Sequence, residues 1–130
     1  MMTPHAQLIH DIREAVGMEP DVVLWVNVSM QAKAVGRTVR TGLTYGAADL
    51  IGIGPHGRLL AIEAKAGRDT VKPHQLRFLE LVNARGGDAG VARSVTDMWE
   101  IVKRVRARGP GDPPTGVFGL KPERKRRRRS

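Results

Sequence analysis

Three charged residues adjoin two neighbouring apolar stretches: two are carboxylates, which can bind a divalent cation, and the third is a lysine. Asp49 directly precedes the apolar stretch Leu50–Ile53. Glu63 and Lys65 end a second apolar stretch that begins at Leu59. Charged residues are depleted from strands and cores unless they are paired or bound to a metal. The positions of these three residues therefore indicate a divalent-metal site of the kind that hydrolyses phosphodiester bonds.

The turn between the two apolar stretches determines which residues face each other. Residues 54–57, Gly-Pro-His-Gly, are a strong turn signal and predict an antiparallel hairpin. If the turn is centred on His56, Asp49 lies opposite Glu63, with the two Cβ atoms about 4.5–5.5 Å apart. Lys65 shares their face, because side chains two residues apart on a strand point the same way. The two carboxylates repel each other unless a cation neutralises them, and their oxygen atoms suit Mg²⁺ or Mn²⁺.

Four sequence blocks resemble, in the same order, those of a known nuclease family. They are Gly46–Gly52, Gly57–Lys65, Pro73–Phe78 and Gly86–Val95. The aspartate and the Glu-Ala-Lys triplet resemble the PD-(D/E)xK nuclease core, although Ala48 stands where a proline usually precedes the aspartate. Together the blocks resemble the VRR-NUC family over about residues 1 to 105. The small stand-alone members of this family occur in phages and bacteria.

The resemblance implies a metal-dependent DNA endonuclease that works as a homodimer and cuts branched DNA such as four-way (Holliday) junctions. Asp49, Glu63 and the backbone carbonyl of Ala64 would hold Mg²⁺ or Mn²⁺. Lys65 would position or deprotonate the attacking water. Gln75 in the first turn of the second helix would hold this water or Lys65. The implied catalytic set is Asp49, Glu63, Lys65 and Gln75.

The sequence does not determine which residue of the first helix, if any, contributes a ligand to the site. The wider nuclease group usually contributes a carboxylate from this helix, but residues 4–8 read Pro-His-Ala-Gln-Leu and contain no glutamate. His5 or Gln7 could substitute for that carboxylate, or the auxiliary ligand could be absent.

Basic residues are concentrated at the C-terminus. The formal net charge is +9, and residues 121–130 contribute +6 of it through seven basic residues and one glutamate. A block of like charges repels itself, so this tail is predicted to be disordered and available to phosphates. The alternative is a solubilising terminus or a mimic of a nuclear-localisation signal. The residues predicted to contact nucleic acid are Lys33, Arg37, Arg40, Lys72, His74, Arg124, Lys125, Arg126, Arg127, Arg128 and Arg129.

Apolar periodicity predicts an α/β fold in which helices flank a small mixed sheet, in the order α-β-β-β-α-β-α. This order is that of a PD-(D/E)xK, or restriction-endonuclease-like, core. The nuclease domain is predicted over residues 1–108, and a Pro/Gly linker with the basic tail over 109–130. The predicted elements are helices at 3–16, 73–85 and 97–106, strands at 22–28, 49–54, 59–65 and 90–95, and a basic loop at 29–46. Trp25 and Trp99 lie in apolar stretches and are predicted to pack in the core.

Composition restricts the remaining possibilities. The absence of cysteine excludes disulfides and cysteine-based zinc sites. No apolar run has the length of a membrane span, and the N-terminus lacks a signal-peptide layout, so a soluble cytoplasmic protein is expected. Aromatic residues make up only 4% of the chain, which argues against extended stacking surfaces for single strands. The alternative functions are a non-catalytic DNA-binding module and a nicking or restriction-type nuclease acting on linear duplex.

Overall fold

A computed structural model of the 130-residue chain describes residues 1–28, 30–34, 36–41, 43 and 45–120. In the described part of the chain, no helix is both long enough and apolar enough to cross a membrane. The helices are α1 (Pro4–Val16), α2 (Pro73–Ala84) and α3 (Val95–Ala107). The strands are β1 (Val23–Val26), β2 (Met30–Ala34), β3 (Arg37–Thr41), β4 (Leu50–Ile53), β5 (Leu59–Ala64) and β6 (Asp88–Ala92).

The main sheet has four strands in the order β1-β4-β5-β6. β4 pairs antiparallel with both β1 and β5, whereas β5 pairs parallel with β6. The predicted small mixed sheet between helices is therefore confirmed. The predicted hairpin register is confirmed as well, because Leu50 pairs with Ile62 and Ile53 with Leu59. His56, at the centre of the turn, adopts a φ of 63° in the left-handed region.

Helices cover both faces of the sheet. One face packs against α1 and α3, and its strand residues include Leu50, Leu60 and Ile62. The opposite face, which includes Ile51 and Ala61, packs against α2. β5 is thus buried on both sides, which explains why its sequence is almost continuously apolar. Burying each large aliphatic side chain contributes roughly 1.5–3 kcal/mol to the folded state.

The predicted basic loop over residues 29–46 is wrong in its first part, because β2 and β3 form an antiparallel hairpin there. Gly36 between the two strands has a φ of 70°, a left-handed conformation that glycine adopts without steric cost. β3 is also rich in β-branched residues, which favour strands. Lys33, Arg37 and Arg40 therefore lie on a hairpin rather than on a loop.

The last strand and helix are shifted relative to the predicted positions. β6 ends at Ala92 and α3 begins at Val95. The cause is an N-cap: the Ser94 hydroxyl accepts a hydrogen bond from the Asp97 backbone N–H, and the Asp97 carboxylate accepts one from the Arg93 N–H. Such reciprocal capping satisfies backbone donors that the helix cannot satisfy internally.

Residues after α3 return to the outer edge of β6. The Phe118 N–H donates to the Ala89 carbonyl, and its carbonyl accepts from the Val91 N–H, both at 2.9 Å. Phe118 is buried in the core cluster of α1 and α3. Gly119 has a φ of 75°, and a Cβ at this position would lie 2.3 Å from the Val91 carbonyl oxygen. The segment predicted as a linker thus contributes to the domain at Phe118. The basic residues 124–129 lie outside the described residues.

The prediction that both tryptophans pack in the core is wrong. Trp25 is 45% exposed and Trp99 is 37% exposed. On the face of the sheet that also carries Ile51 and Ala61, four large apolar side chains are exposed at the β1 side. We call this surface the β1 patch: Val23, Trp25, Ile53 and Leu59.

A buried ion cluster joins β5, β6 and the end of α3. The Asp88 carboxylate accepts hydrogen bonds from Arg58 and Arg108. Arg58 also donates to the carbonyls of Val105, Arg108 and Gly109, so it satisfies acceptors at the C-terminus of α3. The two arginines balance the charge of Asp88, which would otherwise be costly to bury.

Candidate active site

Asp49 lies at the start of β4 and points toward the end of β5. Its backbone carbonyl accepts from the Asn27 N–H at 2.8 Å, which extends the pairing of β1 with β4. Its Oδ2 accepts from the Ala64 N–H at 2.9 Å and lies 3.1 Å from His5 Nε2. Because an ionised carboxylate only accepts hydrogen bonds, His5 Nε2 is the donor in this contact. Asp49 is therefore held by the backbone of β5 and by α1.

Glu63 is the buried acid of the site. Continuing the register of β4 and β5 by one residue places it opposite Asp49, as predicted. Its Oε1 accepts from Gln75 Nε2 at 3.2 Å, whereas Oε2 is buried without a hydrogen-bond partner in the described part of the chain. Burial raises the pKa of Glu63 to about 8, helped by repulsion from Asp49 and by the hydrogen bond that a protonated Glu63 would share with Asp49. Lys65 lowers this pKa without offsetting the burial.

Lys65 is a buried cation just beyond the end of β5. Its Nζ donates to Gln75 Oε1 at 2.7 Å and lies 3.8 Å from Glu63 Oε1 and 3.7 Å from Asp69 Oδ2. Its backbone N–H donates to the Ala92 carbonyl, which prolongs the parallel pairing with β6. The ammonium group is thus fixed between Glu63, Asp69 and Gln75.

Gln75 connects the acid and the lysine. Its amide oxygen accepts from Lys65 Nζ and from the Lys72 N–H, while its amide nitrogen donates to Glu63. These partners define the orientation of the amide, because only the oxygen can accept and only the nitrogen can donate. Pro73 begins α2 and places Gln75 in the first turn, where the side chain reaches the end of β5.

Some of the remaining predicted residues lie beside the acids or Gln75, and others lie elsewhere in the structure. His5 contacts Asp49, and Lys72 and His74 lie at the start of α2 beside Gln75. Gln7 does not reach the acids but donates to Asp11 at 2.8 Å. Lys33, Arg37 and Arg40 lie on the β2–β3 hairpin.

Two residues near the site were not predicted from the sequence. Asp69 approaches Lys65, and its backbone carbonyl accepts from Arg93 Nη1 at 2.7 Å. Tyr45 stacks on His74, with ring centroids 4.5 Å apart. The four-residue spacing of Asp69 from Lys65 carries no signal, because such spacing pairs side chains only on a helix and no helix lies between β5 and α2. Nothing in the sequence pairs Tyr45 with His74 either.

The acids around Asp49 offer carboxylate oxygen atoms, and the nitrogen atom His5 Nε2 lies beside them. In the described residues, no group of three histidine, cysteine, aspartate or glutamate side chains forms a ready-made metal cluster. Two carboxylates nevertheless converge, and one of them has a buried oxygen without a partner. A cation would satisfy that oxygen and offset the repulsion between the acids. The Ala64 N–H contacts Asp49, and the backbone carbonyl of the same residue is an oxygen of the type that Mg²⁺ and Mn²⁺ accept.

Comparison with known proteins bears on the family and the fold of this chain. A sequence model of the VRR-NUC domain matches residues 4–96. Among solved structures, a chain described as a VRR-NUC domain matches with a TM-score of 0.50 and 24% sequence identity, covering 78% of this chain and 97% of that chain. This structural likeness shows the fold. A comparison with curated proteins gives no match.

Proposed function

Because this chain belongs to the VRR-NUC family, it contains a nuclease-type DNA-processing domain, and we propose that the domain is a metal-dependent endonuclease acting on branched DNA. One observation carries the proposal: buried Glu63 has an unpartnered oxygen opposite Asp49 and is linked through Gln75 to Lys65. In a purely structural ion pair, each buried carboxylate oxygen would have a hydrogen-bond partner, and two acids would not face each other.

In this proposal the cation is Mg²⁺ or Mn²⁺, held by Asp49, Glu63 and the Ala64 carbonyl. The residues fit it, because Glu63 Oε2 is buried and needs a partner. When bound, a divalent cation supplies Lewis-acid chemistry by withdrawing electron density from a phosphate and making a water molecule more acidic.

The side chains around the acids supply the rest of the proposed chemistry. Lys65 Nζ positions the attacking water, takes up its proton, or offsets negative charge on the phosphorane. Gln75 orients Lys65 through a 2.7 Å hydrogen bond to its ammonium group. Asp49 is oriented by the Ala64 N–H, which leaves its other oxygen, Oδ1, for the cation.

His5 has a positioning role in this scheme, because its Nε2 contacts the same oxygen of Asp49 as the Ala64 N–H. We expect His5→Ala to weaken Mn²⁺ affinity and cleavage about 10- to 100-fold, the usual effect of losing a group that orients a ligand. His5→Gln keeps an N–H donor and should recover part of the affinity. His10→Ala on the same helix is the matched control, since His10 contacts Asp11 and Glu14 instead. Equal Mn²⁺ affinity in His5→Ala and wild type would exclude this role.

We propose that DNA phosphates contact the start of α2, the β2–β3 hairpin and the basic tail. Lys72 and His74 lie beside Gln75 at the N-terminus of α2, where the helix dipole also favours anions. Lys33, Arg37 and Arg40 on the hairpin and residues 124–129 would extend this contact. Deleting residues 121–130 should reduce the slope of log affinity against log salt, because fewer counterions are released on binding. An unchanged slope, measured by fluorescence anisotropy, would assign the tail another role.

We also propose that the enzyme acts as a homodimer that joins through the β1 patch. β1 is at an edge of the sheet, so its outer backbone groups can pair with a second β1 about a twofold axis. Trp25 and its apolar neighbours lie at this edge. Trp25→Glu should therefore shift the sedimentation coefficient toward that of the monomer. Wild-type protein that sediments as a monomer at micromolar concentration would contradict the proposal.

The substrate is tested with purified protein in Mg²⁺ or Mn²⁺. A four-way junction should be cut faster than a linear duplex of the same arm sequence. Equal rates on the two substrates would favour a nicking or restriction-type nuclease. Absence of cleavage on both, with binding retained, would favour the non-catalytic DNA-binding module.

A further inference from the structure

The connection between β5 and α2 is tied to the end of β6 by one arginine, Arg93. Its Nη1 donates to the backbone carbonyl of Asp69 at 2.7 Å and to that of Gly67 at 3.5 Å. The Asp69 N–H donates to the Ala66 carbonyl at 3.2 Å, so residues 66–69 form a turn. Residues 65–72 contain no helix or strand that could hold this turn. Arg93 therefore acts as a clamp on a segment without regular structure.

Arg93 is itself anchored beside Lys65. Its backbone N–H donates to the Asp97 carboxylate at 2.9 Å, within the cap of α3. The preceding residue, Ala92, accepts from the Lys65 N–H, so continuing the parallel register by one residue places Arg93 next to Lys65. The Nε atom of Arg93 is buried and has no hydrogen-bond partner in the described part of the chain. This edge of the guanidinium group therefore faces the protein and not a DNA phosphate.

The clamped turn brings a carboxylate to the ammonium group of Lys65. Asp69 Oδ2 lies 3.7 Å from Lys65 Nζ, whose other contacts are Gln75 at 2.7 Å and Glu63 at 3.8 Å. Glu63 lies on β5 and Gln75 on α2, so regular structure fixes both. The Asp69 side chain is 52% exposed, and an exposed ion pair loses side-chain entropy when it keeps one geometry. The position of Asp69 therefore depends on the turn, and the turn depends on Arg93.

We propose that Arg93 is a positioning residue, which holds the turn of residues 66–69 so that Asp69 stays against the ammonium group of Lys65. This inference rests on the proposed nuclease function and deepens it by naming what orients the lysine. Gln75 and Asp69 contact the ammonium group from different segments, so losing one of them lets the group shift. Because a displacement of about 1 Å can slow a reaction about 100-fold, we expect Arg93→Met to slow cleavage by about 10- to 100-fold.

Single-turnover cleavage of a four-way junction measures this effect, with anisotropy for DNA affinity and a titration for Mn²⁺ affinity. Arg93→Met should slow cleavage and leave both affinities nearly unchanged, because the Arg93 side chain contacts the turn and not the two opposed acids. Arg93→Lys keeps a charged donor and should recover part of the rate. Arg104→Met, which removes an exposed arginine from α3, is the matched control.

A double variant separates the positioning role from a general effect on the fold. Asp69→Ala should slow cleavage about as much as Arg93→Met does. Combining the two changes should slow it little further, because both remove the same contact with Lys65. A general loss of structure would instead multiply the two effects. Circular dichroism checks the fold, and Arg93→Lys with Asp69→Ala provides the same comparison if Arg93→Met does not fold.

Reductive methylation of the metal-free protein tests the clamp without DNA. The Lys65 side chain is only 4% exposed, so its ammonium group should be methylated slowly in wild type. Arg93→Met and Asp69→Ala should each be methylated faster at Lys65, because the turn no longer covers that group. Mass spectrometry of peptides measures the rate, and exposed Lys103 is the internal reference.

The outcomes separate the two proposals. If wild-type protein cuts no DNA, the nuclease function fails, whereas the methylation rates still report on the clamp. Equal methylation of Lys65 in wild type and in both variants would overturn the positioning role, as would effects on cleavage that multiply. A slower cleavage by Arg93→Met that is matched by weaker DNA binding would also overturn it and make Arg93 a phosphate contact. Slower cleavage at unchanged affinity, with faster methylation of Lys65, supports it.

Discussion

Replacing Asp49 with asparagine or Lys65 with methionine is expected to reduce DNA cleavage by about 10³-fold or more while leaving DNA affinity nearly unchanged. Asp49→Asn keeps the size of the side chain but removes the charge that would attract a cation. Lys65→Met keeps the length but removes the ammonium group that is hydrogen-bonded to Gln75. Removing a single charge-stabilising group from an active site commonly costs 10²- to 10³-fold, and loss of a ligand adds to this.

These variants are compared in single-turnover cleavage of a four-way junction, with anisotropy as the measure of binding. Lys103→Met is the matched control for Lys65→Met, because Lys103 is an exposed lysine on α3. Circular dichroism checks that each variant is folded. Cleavage within tenfold of wild type in either active-site variant would contradict the proposed roles.

The metal-free protein is expected to lose stability as the pH rises from about 5 to 8. Glu63 has a folded-state pKa of about 8 against an ordinary value of 4.5, so folding takes up a proton between these values. A carboxyl with a raised pKa contributes its full stability below the unfolded pKa and loses it as the pH passes through the folded pKa. The slope from this group is at most about 1.4 kcal/mol per pH unit. Asp11 and Asp21, whose pKa values are lowered by hydrogen bonds to Gln7 and Arg106, act in the opposite direction but at lower pH.

Urea unfolding at several pH values measures this slope. Glu63→Gln should abolish most of it, whereas Glu100→Gln, at an exposed position of α3, should leave it unchanged. Mn²⁺ should restore stability most strongly near pH 8, because the cation replaces the proton between the acids. A slope that is the same in wild type and in Glu63→Gln would show that the burial of Glu63 does not perturb its ionisation.

The hairpin that carries the acids could be predicted from the sequence because its signals are local. The turn around His56 fixes the register, and the period of two then decides which side chains share a face. The placement of Asp49 against Glu63 follows from these two rules. The apolar periodicity of α2 and its starting proline likewise predicted where Gln75 would lie.

Other features depend on contacts between distant parts of the chain. The sequence could not decide whether His5 or Gln7 approaches the acids. The two side chains point about 200° apart around the helix, and packing sets the rotation of that helix. In the structure His5 faces Asp49 and Gln7 bonds to Asp11. The return of Phe118 to β6 follows a Pro/Gly-rich stretch that carries no strand signal. Trp25 was wrongly predicted to be buried, because apolar character alone does not show which side of an edge strand a helix covers.

Titration with Mn²⁺, with the free ion counted by electron paramagnetic resonance, tests the central claim most directly. The claim is that the opposed carboxylates of Asp49 and Glu63 form a cation site. Wild-type protein should bind Mn²⁺ saturably, and Asp49→Asn and Glu63→Gln should each weaken that binding about tenfold or more. Binding of equal strength in all three proteins would contradict the account.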